Sequence, residues 1–292
     1  MSMHTESTTA RTVVLWNDSA PTSHARDWAV ERTRRCAGEL VIVRPVPSSS
    51  STSDPADRTI VAARFSLETQ VMSLRNAFPA LRVVVKLVEG DLYDELAALS
   101  NISTLVVIGT HDRATSSFAF ARSIGARFAA IASGPVAVIP ESAPTQVDRI
   151  VIGIDGSAPS TAAAEFAAGE AVARGLELTM LHAWQEPMPW QDVYAQPDEE
   201  FVRELEEAHR HVLDDAVALV QGRYPSLGVH PRLVRGAAPW ALLDAAGESG
   251  LLVVGTRGLH RLKAFLLGSV SHAIVLNLRS AVVVVPGRHP EA

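Results

Sequence analysis

Leu251-Leu252-Val253-Val254-Gly255-Thr256-Arg257-Gly258, followed after nine residues by Gly268-Ser269-Val270-Ser271, decides how this chain is read. The apolar run Leu251 to Val254 predicts a strand buried on both faces of a parallel sheet. The segment from Ser269 to Leu278 predicts a helix. A strand that ends in glycines and leads to a helix start builds an anion site from main chain. Glycine lets the backbone come close to a charge, and the first N–H groups of the helix point at it. Ordinary turn glycines, with a last one that merely precedes a helix, are the alternative reading of the same positions.

Working outward, the chain repeats itself. Arg11-Thr12-Val13-Val14-Leu15-Trp16-Asn17-Asp18-Ser19-Ala20-Pro21 aligns without a gap on Arg149-Ile150-Val151-Ile152-Gly153-Ile154-Asp155-Gly156-Ser157-Ala158-Pro159. Val88-Glu89-Gly90 aligns on Val234-Arg235-Gly236, and Leu105 to Thr110 on Leu251 to Thr256. The offset grows from 138 to 146 residues between the two blocks, which places about eight extra residues near Gln185 to Glu199. Duplication of this kind predicts two copies of one fold. In the second copy, strands are expected near 149–154, 176–184, 227–235, 250–255 and 281–286. Helices are expected near 159–174, 199–222, 238–248 and 269–278. Phe201, Leu205, Ala208, Val212, Ala216 and Leu219 recur at helical spacing, as do Leu67, Val71, Leu74 and Phe78 in the first copy. Strand and helix in alternation predict α/β architecture: two tandem open parallel sheets, Rossmann-like, with helices on both faces. The domains are read as 11–140 and 149–287, joined by a polar linker at 141–148. Pro47 to Asp57 reads as a low-complexity loop.

Composition narrows the function. The 292 residues are 47% hydrophobic, enough for two good cores. Net charge is −6 and the isoelectric point about 5.9, with no footprint for nucleic acid or an anionic membrane. Met1 to Ala10 is polar and lacks the apolar core of a secretory signal, and no apolar run approaches the length of a membrane helix. A cytoplasmic location is expected. The single Cys36 is read as a core thiol. His209 and His211, two apart on a helix, cannot share a metal, and His182 reads as packed or hydrogen-bonded on a strand. Trp184, Trp190 and Trp240 are candidates for the rim of a crevice or for packing. No GxxxxGK[ST], G-x-S-x-G or kinase signature occurs.

In an open parallel sheet, ligands bind beyond the carboxyl ends of the strands where strand order reverses. Asp155 follows the first strand of the second copy and Gly255 ends the fourth, so a carboxylate and a glycine loop would face one crevice. The carboxylate suits sugar hydroxyls or a base, and the loop suits phosphates. An N-cap role for Asp155 is compatible with this. The spaced glycines, the strand end at Asp155, and Gly236 with Pro239 leading a helix closely resemble the universal stress protein family over about residues 11–140 and 149–287. The resemblance implies an ATP site in the second copy, with Mg2+ admissible beside the nucleotide. Asp155 would contact the adenosine and Ala183 the adenine through its backbone. Gly255, Gly258, Gly268, Ser269, Val270 and Ser271 would surround ribose and phosphates. Each donor contributes about 0.3–1 kcal/mol, whereas a micromolar site needs about 8 kcal/mol, so several must act together. Basic Arg257, His260, Arg261 and Lys263 belong either to a solvated loop or to a γ-phosphate contact.

The first copy departs from the pattern. Asn17 replaces Asp155 and Asp18 replaces Gly156. Gly109 survives, but Asp112 stands for Gly258 and Arg122 for Gly268, while Ser123 matches Ser269. A carboxylate repels phosphate and an arginine fills space that backbone needs, although its guanidinium could also bind phosphate. The first copy is therefore expected to bind no ATP. The resemblance also implies pairing of the last strands of the two copies, Val136 to Ile139 and Ala281 to Val285, as a pseudo-dimer within one chain. A homodimer of such chains is allowed, and a regulatory protein partner of unknown identity is implied. Three functions compete: a nucleotide-dependent regulator in stress adaptation with no catalytic residues, a slow ATPase or phosphotransferase, and an interaction module without nucleotide.

Overall fold

A computed structural model of the chain describes residues 10–47, 55–111, 124–186, 199–248, 250–256 and 268–287. Contacts divide the chain into two compact units, Met1–Gln146 and Val147–Ala292. The first unit runs β1 (Arg11–Leu15), α1 (Ala20–Arg35), β2 (Glu39–Val46), α2 (Pro55–Ala77), β3 (Arg82–Glu89), α3 (Leu92–Leu99), β4 (Thr104–Thr110), α4 (Ile124–Ile131) and β5 (Val136–Pro140). Its strands are parallel in the order β3-β2-β1-β4-β5. The second unit runs β6 (Arg149–Gly153), α5 (Ala158–Arg174), β7 (Leu178–Trp184), α6 (Glu199–Arg223), β8 (Val229–Arg235), α7 (Ala238–Ala246), β9 (Gly250–Thr256), α8 (Ser269–Leu276) and β10 (Ala281–Pro286). Its order is β8-β7-β6-β9-β10, again parallel. The α/β class and the open parallel sheets are those expected. From β6 the chain steps outward through β7 to β8, then returns across β6 to β9, so strand order reverses between β6 and β9. Helices leave these two strands on opposite faces, the kind of switch point at which open parallel sheets bind ligands beyond the carboxyl ends of the strands.

The core of the second unit forms because its central strands are apolar on both sides. Ile150, Ile152, Leu178, Met180, Leu251, Leu252 and Val282 to Val284 are fully buried. Against them lies the alanine face of α5, Ala163, Ala164, Ala167, Ala168 and Ala171. Side chains this small bring the helix close to the sheet, and that closeness governs the site below.

Three expectations need correction. The buried side of α6 carries Leu213 and Val220, with Leu205, His209 and Ala216 half-buried, whereas Phe201 and Leu219 stand 46% exposed. The apolar stripe thus sits about one residue away from the one expected, because His209 is drawn to the sheet by a polar contact that periodicity of apolar residues cannot register. In the segment read as a loop, α2 already begins at Pro55, a residue suited to the first helical position. Cys36 is half-buried at the end of α1 rather than in the core, since the helix stops there and Ala37 turns left-handed at φ 48°.

Candidate functional site

The turn from β6 into α5 is built by short polar side chains. The Asp155 carboxylate accepts from the Ser157 amide at 2.9 Å and from the Ser157 hydroxyl, a local loop that presents Asp155 on the exposed edge. The N-cap of α5 is Ser157, whose Oγ accepts from the Ser160 amide at 3.4 Å, so the capping role considered for Asp155 belongs to its neighbour. Gly156 between them has φ 76°, a conformation that disfavours a side chain, and a Cβ there would also approach Val212 Cγ1 of α6 at 3.0 Å.

Gly255 owes its identity to packing. A Cβ on it would meet the Pro159 carbonyl carbon and oxygen at 2.6 Å and the Ser160 nitrogen at 2.8 Å, all main-chain atoms of the first turn of α5. A close main-chain approach at Gly255 is made toward this helix. Gly268 differs: no described atom lies within 4 Å of its would-be Cβ, and its φ of −52° is open to any residue. Neither packing nor backbone conformation among the described residues calls for glycine at 268.

Gly268 is the N-cap of α8 and makes no side-chain cap bond, so Ser269 and Ser271 lie inside the helix rather than capping it. The first intrahelical bond runs from the His272 amide to the Gly268 carbonyl at 2.8 Å. Helix geometry accordingly leaves the amides of Ser269, Val270 and Ser271 without an intrahelical acceptor. Ser271 is buried, and its hydroxyl donates to the Gly255 carbonyl at 3.1 Å. This bond ties the start of α8 to the end of β9. Ser269 is exposed and Val270 half-buried. Gly258 and the basic residues Arg257, His260, Arg261 and Lys263 lie outside the described residues.

Ala183 completes the edge. The last β6–β7 pair is Gly153 with Leu181, while β7 stays paired with β8 through Ala183–Val234 and Trp184–Arg235. The Leu181 carbonyl accepts from the Ile154 amide on the β6 side at 2.8 Å, and the Trp184 carbonyl accepts from Gly236 on the β8 side at 2.8 Å. Main-chain groups alternate in direction along a strand, so the amide and carbonyl of Ala183 face the side where β6 has already ended. Trp184 is buried and stacks on His209, whereas Trp240 is exposed; Trp190 lies outside the described residues. Among the described residues no group of three His, Cys, Asp or Glu side chains is placed to hold a metal ion, and no helix is long and apolar enough to cross a membrane.

The model of the universal stress protein family matches residues 146–286, which contain this whole site. A universal stress protein of Mycobacterium tuberculosis is 31% identical over 236 residues, covering 78% of this chain and 76% of the relative. The chain belongs to the universal stress protein family. A second universal stress protein of M. tuberculosis is 29% identical over 299 aligned residues, covering 93% of this chain and 94% of its own. The crystal structure of a universal stress protein from Archaeoglobus fulgidus superposes with a TM-score of 0.67 at 16% identity, over 96% of this chain and all of that one, a likeness of fold.

Strand register shows how the first unit differs from the second at the same edge. Leu40 pairs with Thr12 as Leu178 pairs with Ile150, so Arg44, Pro45 and Val46 stand where the second unit has His182, Ala183 and Trp184. Pro45 has no amide hydrogen, so the crevice-facing donor of Ala183 has no counterpart. Asp18 takes the left-handed place of Gly156, at φ 65°. Its carboxylate binds Arg44 and accepts from Ser66 at 2.9 Å, and the Arg44 guanidinium lies 4.9 Å over buried Trp16. Arg44, with Ser66 assisting and burial opposing, holds the Asp18 carboxyl below its ordinary value. Asn17 keeps the turn of Asp155, accepting from the Ser19 amide at 3.2 Å. Gly109 keeps the constraint of Gly255, since a Cβ would strike the Pro21 carbonyl oxygen at 2.1 Å. The same packing constraint operates in both units. Pro45 and Arg44 were missed from sequence, although the gap-free offset of 138 residues already aligns them with Ala183 and His182, a match that the strand register repeats. Asp112, Arg122 and Ser123 lie outside the described residues.

Proposed function

We propose that this protein is an ATP-binding regulator of stress adaptation in the cytoplasm, built from two tandem universal stress protein domains. Residues 149–287 hold the nucleotide through Asp155, Ala183, Gly255, Gly258, Gly268, Ser269, Val270 and Ser271, and residues 11–140 hold none. The observation that carries this reading is the fastening of α8 to β9 by the Ser271–Gly255 bond. It fixes a row of helix-start amides at the edge where Asp155 and the Ala183 backbone also emerge, donors suited to phosphate and an edge suited to adenosine. A glycine at 268 without a packing reason supports close approach of a ligand. In the first unit, Pro45 and the Asp18–Arg44 pair occupy the equivalent edge, which supports a silent copy. Nucleotide binding in this reading biases conformation or partner choice and supports no dedicated turnover; an Mg2+-dependent rate above ~1 s⁻¹ would overturn that.

The test is nucleotide content. Protein purified without added ATP is denatured, and the released nucleotide is identified and counted by chromatography and mass spectrometry, with calorimetric titration of ATP if none is retained. About one ATP per chain is expected. Two per chain would refute the silent first domain, and no binding by either method would leave an interaction module as the better account.

A further inference from the structure

His182 and His209 form a pair that the nucleotide reading does not use. His182 is buried on β7, and its Nδ1 lies 2.6 Å from the Ile154 carbonyl oxygen, the residue before Asp155. Its Nε2 lies 2.7 Å from Nδ1 of His209 on α6. A carbonyl only accepts, so Nδ1 of His182 carries a proton. In the neutral ring Nε2 is then an acceptor, and His209 must donate from Nδ1. The His209 ring is held in turn by stacking on Trp184, with centroids 5.4 Å apart and planes at 22°. One proton lies between the rings whichever of them carries extra charge. The first unit makes the comparison: its side chain at the His182 position, Arg44, also ties down the turn after the first strand, there through Asp18. A side chain from this strand position restrains the turn in both units.

We infer that His209 fixes the tautomer of His182, whose Nδ1–H holds the Ile154 carbonyl and so positions Asp155 for adenosine. Both histidines are positioning residues of the site, an assignment that rests on the ATP reading. Burial, and then the neighbouring His182, push His209 below its ordinary pKa, which favours the neutral form of the His209 ring. Several charged groups on the surrounding elements pair with one another. Glu206 pairs with Arg210 on α6, and Glu186 beyond β7 pairs with Arg235 of β8. Arg235 also lies 5.9 Å over Trp184, and Glu165 of α5 pairs with Arg223 at the far end of α6. Asp155 on the turn is bonded to Ser157.

Imidazole 15N spectra of the full chain without nucleotide test the pair directly. His182 is expected in the Nδ1–H tautomer at pH 7.5; a dominant Nε2–H form would overturn the inference. His209→Leu removes the donor, and His209→Gln supplies an amide donor in its place. The first is expected to mix the His182 tautomers, shift the Asp155 and Ser157 amide signals, and weaken ATP binding by about tenfold. The second is expected to stay within about threefold of wild type. Loss of affinity that is equal in both variants would show mere packing. Should wild type bind no adenine nucleotide, the ATP reading falls, and the tautomer and amide shifts still decide whether His209 controls the turn.

Discussion

Two glycines that look alike in sequence are expected to behave oppositely when each becomes alanine. At Gly255 the new methyl would sit 2.6 Å from the Pro159 carbonyl carbon and oxygen and 2.8 Å from the Ser160 nitrogen, roughly an ångström inside ordinary contact. The obstacle is backbone at the first turn of α5, which cannot swing aside as a flexible side chain can. Overpacking of this kind costs about 1–3 kcal/mol. With a urea slope near 2 kcal/mol per molar, the unfolding midpoint of the second unit should fall by about 0.5–1.5 M. At Gly268 no described atom lies within 4 Å and φ is −52°. Alanine there should leave stability unchanged or raise it slightly, by about 0.4–1 kcal/mol through the unfolded chain. Calorimetric titration should nevertheless show ATP affinity reduced at least tenfold, because the methyl intrudes where phosphate meets main chain. Circular dichroism melts and titration of both variants check the pair of outcomes. A Gly255→Ala protein as stable as wild type would refute the packing argument. A Gly268→Ala protein that binds ATP normally would refute the ligand argument for that glycine.

Further outcomes follow from the same geometry. Asp155→Ala should weaken ATP binding by an order of magnitude or more, measured by titration, and lower stability by only about 1 kcal/mol through the lost Ser157 bonds. Ser271→Ala removes the donor to the Gly255 carbonyl and should cost about 1 kcal/mol in urea melts, with a parallel loss of affinity as α8 loosens. Asp18→Ala should be less stable than Asp18→Gly by about 1 kcal/mol, because both lose Arg44 but only alanine keeps a side chain at φ 65°. Acid melts test Asp18 further. Its folded carboxyl titrates below the ordinary 3.8, so its stabilisation is present above that value and disappears as pH falls through the lower folded value. Arg44→Met should remove that acid-dependent component, which is modest because the Asp18 side chain is 44% exposed; an unchanged acid profile would show that Arg44 does not control this carboxyl.

Local sequence determined the alternation of strand and helix. Apolar runs such as Leu251 to Val254 can only be satisfied between two layers of helix, and the segments that cap them carry proline, serine and glycine at positions where few other residues fit. The duplication was legible for the same reason, since the β1 and β6 turns use the same short polar chemistry at Asn17 and Asp155. What the sequence could not decide is what each residue turns toward. Gly255 reads as a phosphate glycine, and the structure adds the backbone of Pro159 against it. Ser271 reads as a ligand group, and the structure adds a bond from its hydroxyl to the Gly255 carbonyl. The buried face of α6 moved by a residue because His209 meets His182, and that Pro45 stands level with Ala183 in the sheet is set by strand register. Periodicity is a property of a segment alone; register, helix rotation and close approach depend on a partner far away in the chain, and those are settled only when the elements pack.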